Sequence, residues 1–223
     1  MTERDPTPHA PPFARAVLGL AVAFVALAVV VGWGLTGAPD AWVYQRTLVT
    51  WGSVGRDIAE AINEAGSVPV AGLAAVVGLG LAGVRRDRTW LILLAPLATI
   101  PVEVLAKNVI PRTMVDNLSD IQLGPFLTIA APYTFPSGNM ARVAALVIAL
   151  LAHPTRARVV DFRTRPGIAV VVVSAVVLGA TAWSHLAMGD HWASDVLGGL
   201  LLGAGAALAL AELTRRHRST RPN

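Results

Sequence analysis

The chain of 223 residues contains no cysteine, and only 14% of its residues are charged. Without a thiol there is no disulfide, thiolate metal site or cysteine nucleophile. With so little charge, 54% hydrophobic residues and a mean hydropathy of +0.59, an ordinary soluble domain is excluded. No internal repeat is present. No small-residue cleavage site follows the first apolar run, which is therefore read as a retained helix and not as a leader.

What is present is a series of six apolar segments, at about 14–35, 67–84, 90–106, 138–152, 167–186 and 193–213. About 20 apolar residues in a helix cross a bilayer, with a tolerated range of about 17–25. Most segments meet this; the fourth is short even when it runs through Ala152. The expected fold is all-α: a polytopic membrane protein with six transmembrane helices in a bundle. Residues 1–13 (MTERDPTPHAPPF) are polar and proline-rich and read as a disordered tail. Residues 14–213 form the membrane domain, and 214–223 a basic tail.

The net charge of +4 and a pI near 10.6 do not point to nucleic acid, because the cations lie in short clusters between apolar spans. Their distribution sets a topology instead. Thirteen are in the N-terminus, the second and fourth loops and the C-terminus: Arg4, Arg15, Arg85, Arg86, Arg88, Arg156, Arg158, Arg163, Arg165, Arg215, Arg216, Arg218 and Arg221. The other loops hold four, Arg46, Arg56, Lys107 and Arg112. By the positive-inside rule both termini are cytoplasmic, and the loops at 36–66, 107–137 and 187–192 face outward. Within the first of these, VGRDIAEAINEAG reads as a short helix, either amphipathic on the membrane surface or simply connecting. Gly199 and Gly203, and likewise Gly78, Gly80 and Gly83, suit close helix packing.

Polar groups at membrane depth are costly and are therefore candidates for function. Three clusters reach the outer side. In EVLAKNVIPR (103–112), Lys107 and Arg112 bring positive charge, and Glu103 lies one turn from Lys107, at ion-pairing distance on a helix. A snorkelling interfacial lysine is the plain alternative. In PSGNMAR (136–142), Ser137 is a natural N-cap and Gly138 lets a ligand approach the backbone. Free N–H groups and the helix dipole there favour an anion, phosphate above all, although a capped helix start explains the same residues. In SHLAMGDHWASD (184–195), His191 and Asp195 share a helix face. A carboxylate on one imidazole nitrogen fixes the tautomer and frees the other to attack or to take a proton. A structural pair is the alternative. A metal site is disfavoured, because no third ligand stands at a supportive spacing. Together, two cations, an anion-binding helix start and an oriented histidine fit phosphoryl transfer, which depends on positioning and on neutralising the equatorial oxygens.

These residues resemble the type 2 phosphatidic acid phosphatase family, membrane lipid phosphatases related to vanadium haloperoxidases. The family's motifs are Lys, six residues, Arg-Pro; then Pro-Ser-Gly-His; then Ser-Arg, five residues, His, three residues, Asp. The resemblance spans about residues 85–205. Ser184, His191 and Asp195 match the third motif, Pro136, Ser137 and Gly138 the second, and Lys107 the first. It implies that His191 is the nucleophile that becomes phosphohistidine, oriented by Asp195. It further implies that Lys107, Ser137 and Gly138 bind phosphate, with no metal and no other cofactor. Asn139 stands where the family has its acid histidine, and His185 where it has a phosphate-binding arginine. Arg112 follows Lys107 after four residues instead of six. Arg112, Asn139, Arg142 and His185 are assigned to phosphate binding, with Arg142 replacing lost charge.

An amide donates hydrogen bonds but supplies no proton. A lipid alkoxide is a poor leaving group, its conjugate acid having a pKa on the order of water's 15.7; phosphate, with a second pKa of about 6, is a good one. A lipid diphosphate, such as a polyprenyl diphosphate, is therefore the expected substrate, unless His185 supplies the acid. The expected location is the cell membrane, with the site on the extracytoplasmic side and the bundle holding the lipid tail behind an entrance bordered by Phe126, Tyr133 and Phe135. A non-catalytic relative that binds or presents a lipid phosphate, or serves as a partner subunit, is the second reading. A transporter is the third, with only Glu103 in its favour. The oligomeric state stays open.

Overall fold

The computed structural model describes residues 13–47, 53–112, 121–122, 128–129, 133–153 and 165–219. Helices carry the fold: α1 (Ala14–Gly32), α2 (Gly37–Thr47), α3 (Ser53–Glu64), α4 (Val68–Val84), a 3₁₀ segment (Arg88–Leu94), α5 (Ala95–Ala98), α6 (Ile100–Val109), α7 (Gly138–Ala152), α8 (Arg165–Met188) and α9 (Ala193–Ser219). Two-residue strands, Ile121–Gln122 and Thr128–Ile129, pair antiparallel, with Ile121 opposite Ile129. Five helical stretches are long and apolar enough to span a membrane, and α7 is a shorter apolar helix. The chain is an integral membrane protein.

Burial explains why α7 can be short. It lies at the centre, packed mainly against α9 and also against α4, α5 and α8. Its stripe of Ala141, Ala144, Ala145 and Ala149 is fully buried. Small side chains let neighbouring backbones approach where the hydrophobic effect between helices is absent. Around this centre, α1, α4 and α8 turn apolar side chains outward, among them Leu18, Val22, Leu73, Val76, Val172 and Val176. In water such surface would be anomalous; against lipid it is the expected exterior.

Gly199 and Gly203 hold α9 against α7. A Cβ at Gly199 would overlap the Ser137 carbonyl, and one at Gly203 the Ala141 carbonyl. Gly78 packs in the same way on Trp90 and Leu93. The expectation fails for Gly80 and Gly83, which have nothing within 4 Å of a built Cβ. They face outward from α4, on the side away from its helical neighbours.

The third span is not one helix. It passes from 3₁₀ to α at Ala95 and is interrupted again at Thr99. Pro96 and Pro101 each stand within the first two positions of a new helix. Proline lacks the N–H that a continuous helix would require and is tolerated in a first turn. α9 runs on through residues 214–219, which the sequence reading placed in the tail. Residues 1–12 and Phe126 lie outside the described residues. Phe135 does not border an entrance: it is fully buried, stacks on Phe24 at 5.8 Å and packs where Gly198 leaves room. Tyr133 is half-buried.

Candidate active site

Three helix ends meet at one end of the bundle. Ser137 caps α7, its Oγ accepting from Met140 N–H at 3.4 Å. The Ser137 N–H donates to the Asp195 carbonyl at 2.9 Å, tying this cap to the first turn of α9. Ser137 Oγ also lies 3.4 Å from His185 Nε2, near the end of α8. Gly189, at φ 71°, then turns the chain out of α8, its N–H donating to the His185 carbonyl at 3.1 Å. That left-handed closure suits glycine, which has no Cβ to clash. The turn returns the chain as Asp190, His191 and Trp192 and leads into α9.

His191 and Asp195 are close without being hydrogen-bonded. Nδ1 of His191 is 3.5 Å from Asp195 Oδ2, an ion-pair distance, and has no hydrogen-bond partner among the described residues. Asp195 Oδ2 instead accepts from the Trp192 N–H at 3.1 Å. His185 and His191 meet edge to face, with centroids 4.9 Å apart. The other nitrogen of His185, Nδ1, lies 3.2 Å from Asp190 Oδ1. Burial pushes the Asp190 carboxyl up. The hydrogen bond with His185 and the nearby His191 and His185 charges outweigh this, leaving the carboxyl below its ordinary value.

The cations assigned to phosphate are already engaged. Glu103, buried against Gly138, receives Arg142 Nη1 at 2.5 Å on one oxygen and has Lys107 Nζ at 3.4 Å from the other. Arg142 also donates to the Gly66 carbonyl at 2.6 Å and to Asn139 Oδ1 at 2.7 Å. The Asn139 amide in turn donates to Asn63 Oδ1 at 2.7 Å. Arg112 pairs with buried Asp40 on α2 and stacks over the Trp192 ring at 5.0 Å. Asp40 further accepts from the Ser194 N–H at 2.9 Å and the Ser194 hydroxyl at 2.7 Å.

All three sequence clusters thus come to one place. The Glu103–Lys107 pair is present, and Ser137 is the cap it was expected to be. The sequence did not single out Asp40, Asn63, Gly66 and Ser194, which come from α2, α3, the α3–α4 turn and the α9 start. Asp40 carried a weak signal: it is the one acid in residues 36–47, directly after the first apolar span. Asp190 was visible beside His191 but not singled out. The objection to a metal site also changes, because His185, Asp190 and His191 bring one ligand atom each within 4.8 Å of one another. Spacing along the chain did not reveal this group, because the α8–α9 turn creates it.

The sequence model of the PAP2 superfamily matches residues 109–219. A solved structure, described as the first transmembrane PAP2 type phosphatidylglycerolphosphate phosphatase from Bacillus subtilis, superposes with a TM-score of 0.69. It has 19% sequence identity, and the match covers 92% of this chain and 98% of that one. No curated protein matches the sequence.

Proposed function

The chain belongs to the PAP2 superfamily, and from that premise we propose that it is a membrane lipid phosphatase working through a phosphohistidine. The observation that carries this is the chain of contacts from the α7 cap through His185 to His191. Ser137 touches His185, His185 faces His191, and Asp195 lies behind His191. In the proposed reaction a nitrogen of His191 attacks phosphorus, and the bond from phosphorus to the leaving oxygen breaks. Asp195 favours the positive charge that develops on the ring. Water then attacks the phosphohistidine, releasing inorganic phosphate and restoring the imidazole. In this reading the N–H groups of the first α7 turn and the Ser137 hydroxyl stabilise the phosphoryl oxygens.

Asn139 cannot supply the leaving-group proton. His185 can, since Asp190 lies on one of its nitrogens while the other faces Ser137. With His185 as the acid a lipid monophosphate is open to the site as well, while a lipid diphosphate, polyprenyl diphosphate among them, still has the leaving group that needs the least help. The cation distribution supports a site on the extracytoplasmic side of the cell membrane. A lipid tail would lie along the apolar helices.

One observation favours a second reading, a non-catalytic protein that binds or presents a lipid phosphate. Lys107, Arg142 and Arg112 all face carboxylates. One experiment separates the two readings: phosphate release by the purified protein from a panel of lipid mono- and diphosphates, beside His191→Ala. Release that disappears in the variant establishes the phosphatase. Lipid phosphate binding without release establishes the second reading.

A further inference from the structure

By formal charge, three cations around the site (Lys107, Arg142 and Arg112) face four carboxylates: Glu103, Asp40, Asp190 and Asp195. The excess negative charge lies on the His185–His191 side, where Asp190 and Asp195 stand with no arginine or lysine bound to them among the described contacts. Such a place attracts a cation. The groups there are also those a borderline divalent ion selects, two imidazoles and a carboxylate.

We propose that His185, Asp190 and His191 form a binding site for a divalent cation of the zinc class, and that its occupancy arrests the histidine nucleophile. The geometry is close to what a tetrahedral ion requires. Zinc bonds of about 2.0–2.2 Å to nitrogen and oxygen place neighbouring ligand atoms about 3.3 Å apart. His185 Nδ1 lies 3.2 Å and 3.3 Å from the two Asp190 oxygens. The three ligand atoms fall within 4.8 Å of one another, so a small rotation of the rings closes the set. Nδ1 of His191 is buried without a hydrogen-bond partner, so no hydrogen bond at that nitrogen locks the ring. Asp190 keeps 29% of its side-chain surface exposed, which gives an ion a way in. Three protein ligands leave a fourth position for water or a phosphate oxygen.

The inhibitory consequence rests on the phosphatase reading. A ring nitrogen bonded to zinc has no lone pair with which to attack phosphorus. Zinc on Nδ1 of His185 also keeps the ring from becoming an imidazolium, so Nε2, the nitrogen that faces Ser137, no longer works as the acid. Zinc and turnover therefore compete.

The test begins with binding, which needs no activity. Chelator-treated protein in detergent is dialysed against zinc chloride, and bound zinc is measured by elemental analysis. One zinc per chain is expected, with a rise in melting temperature. His185→Gln and Asp190→Asn should each weaken binding by roughly tenfold or more, whereas Asp190→Cys, which keeps a ligand, should retain it. Wild-type protein without stoichiometric zinc overturns the proposal, as does binding undiminished in both ligand variants. Failure of a variant to fold leaves the wild-type stoichiometry and the Asp190→Cys result to decide. Added zinc should lower His191-dependent phosphate release, and chelator should restore it. His191-dependent release with no bound zinc sinks the metal site alone. Bound zinc with no release from any lipid phosphate sinks the phosphatase reading and leaves the site.

Discussion

The side-chain amide of Asn139 donates to Oδ1 of Asn63 at 2.7 Å, while its own oxygen accepts from Arg142 at 2.7 Å. One residue thus joins the end of α3, the first turn of α7 and the buried Arg142–Glu103–Lys107 group. Asn139 is a structural clasp at the position where an acid was expected to be missing.

Two effects of changing Asn139 are separable. Asn139→Ala leaves Asn63 and Arg142 each short of a partner, and an unpaired buried polar group costs about 1–3 kcal/mol. Thermal unfolding in detergent should show the loss. Asn139→His introduces a proton donor beside the proposed phosphate site. It should raise release from a lipid monophosphate relative to a diphosphate, by up to about 10²–10⁴-fold. An unchanged mono-to-diphosphate ratio would show that proton supply at this position does not set substrate preference.

Glu103 is the anion between two buried cations. Breaking a buried charge group by removing one partner costs about 3–5 kcal/mol. Glu103→Ala should therefore lower thermal stability far more than an exposed substitution such as Glu60→Ala, whose Arg56 pair lies on the surface. Equal melting temperatures for the two variants would contradict this account of Glu103.

The glycines offer a contrast. Gly203→Val places side-chain atoms against the Ala141 carbonyl and the Ala144 side chain, forcing α9 away from α7. Overpacking of this kind costs about 1–3 kcal/mol or more. It also strains the Ser137–Asp195 backbone bond, so phosphate release should fall with stability. Gly80→Ala meets nothing and should be neutral or stabilising by up to about 1 kcal/mol, the helix-propensity difference. Comparing melting temperature and activity of the two variants checks the assigned packing.

Asp40 holds three groups at once, Arg112 and both donors of Ser194. Asp40→Ala should destabilise the protein and loosen the start of α9, where Asp195 sits. Activity should fall more than in Arg112→Ala, which leaves the Ser194 bonds in place. Comparison of phosphate release by the two variants, normalised to folded protein, decides.

The sequence was most informative where the signal is local. All six apolar runs fall on helices; five helical stretches are long and apolar enough to span a membrane and α7 is shorter, since length and hydropathy are properties of the local sequence. Ser137 was recognisable as a cap, because capping depends on one residue and the turn after it. The Glu103–Lys107 pair was legible for the same reason, lying four apart on one helix. Packing was less legible. Gly78 and Gly80 look alike in the sequence, yet only Gly78 has a neighbour, because two positions along a helix face nearly opposite sides.

What the sequence by itself determined was the membrane class, the order of the apolar segments and the polar residue types in the three clusters. What only the tertiary structure decided was which charge meets which. Arg142 meets Glu103 across 39 positions, Arg112 meets Asp40 across 72, and Asn139 meets Asn63 across 76. The physical reason is that a buried charge takes whatever partner the packed helices bring within reach, and desolvation makes going without one costly. Hydropathy fixes where helices lie along the chain. It carries no information about which of their polar side chains share a buried space.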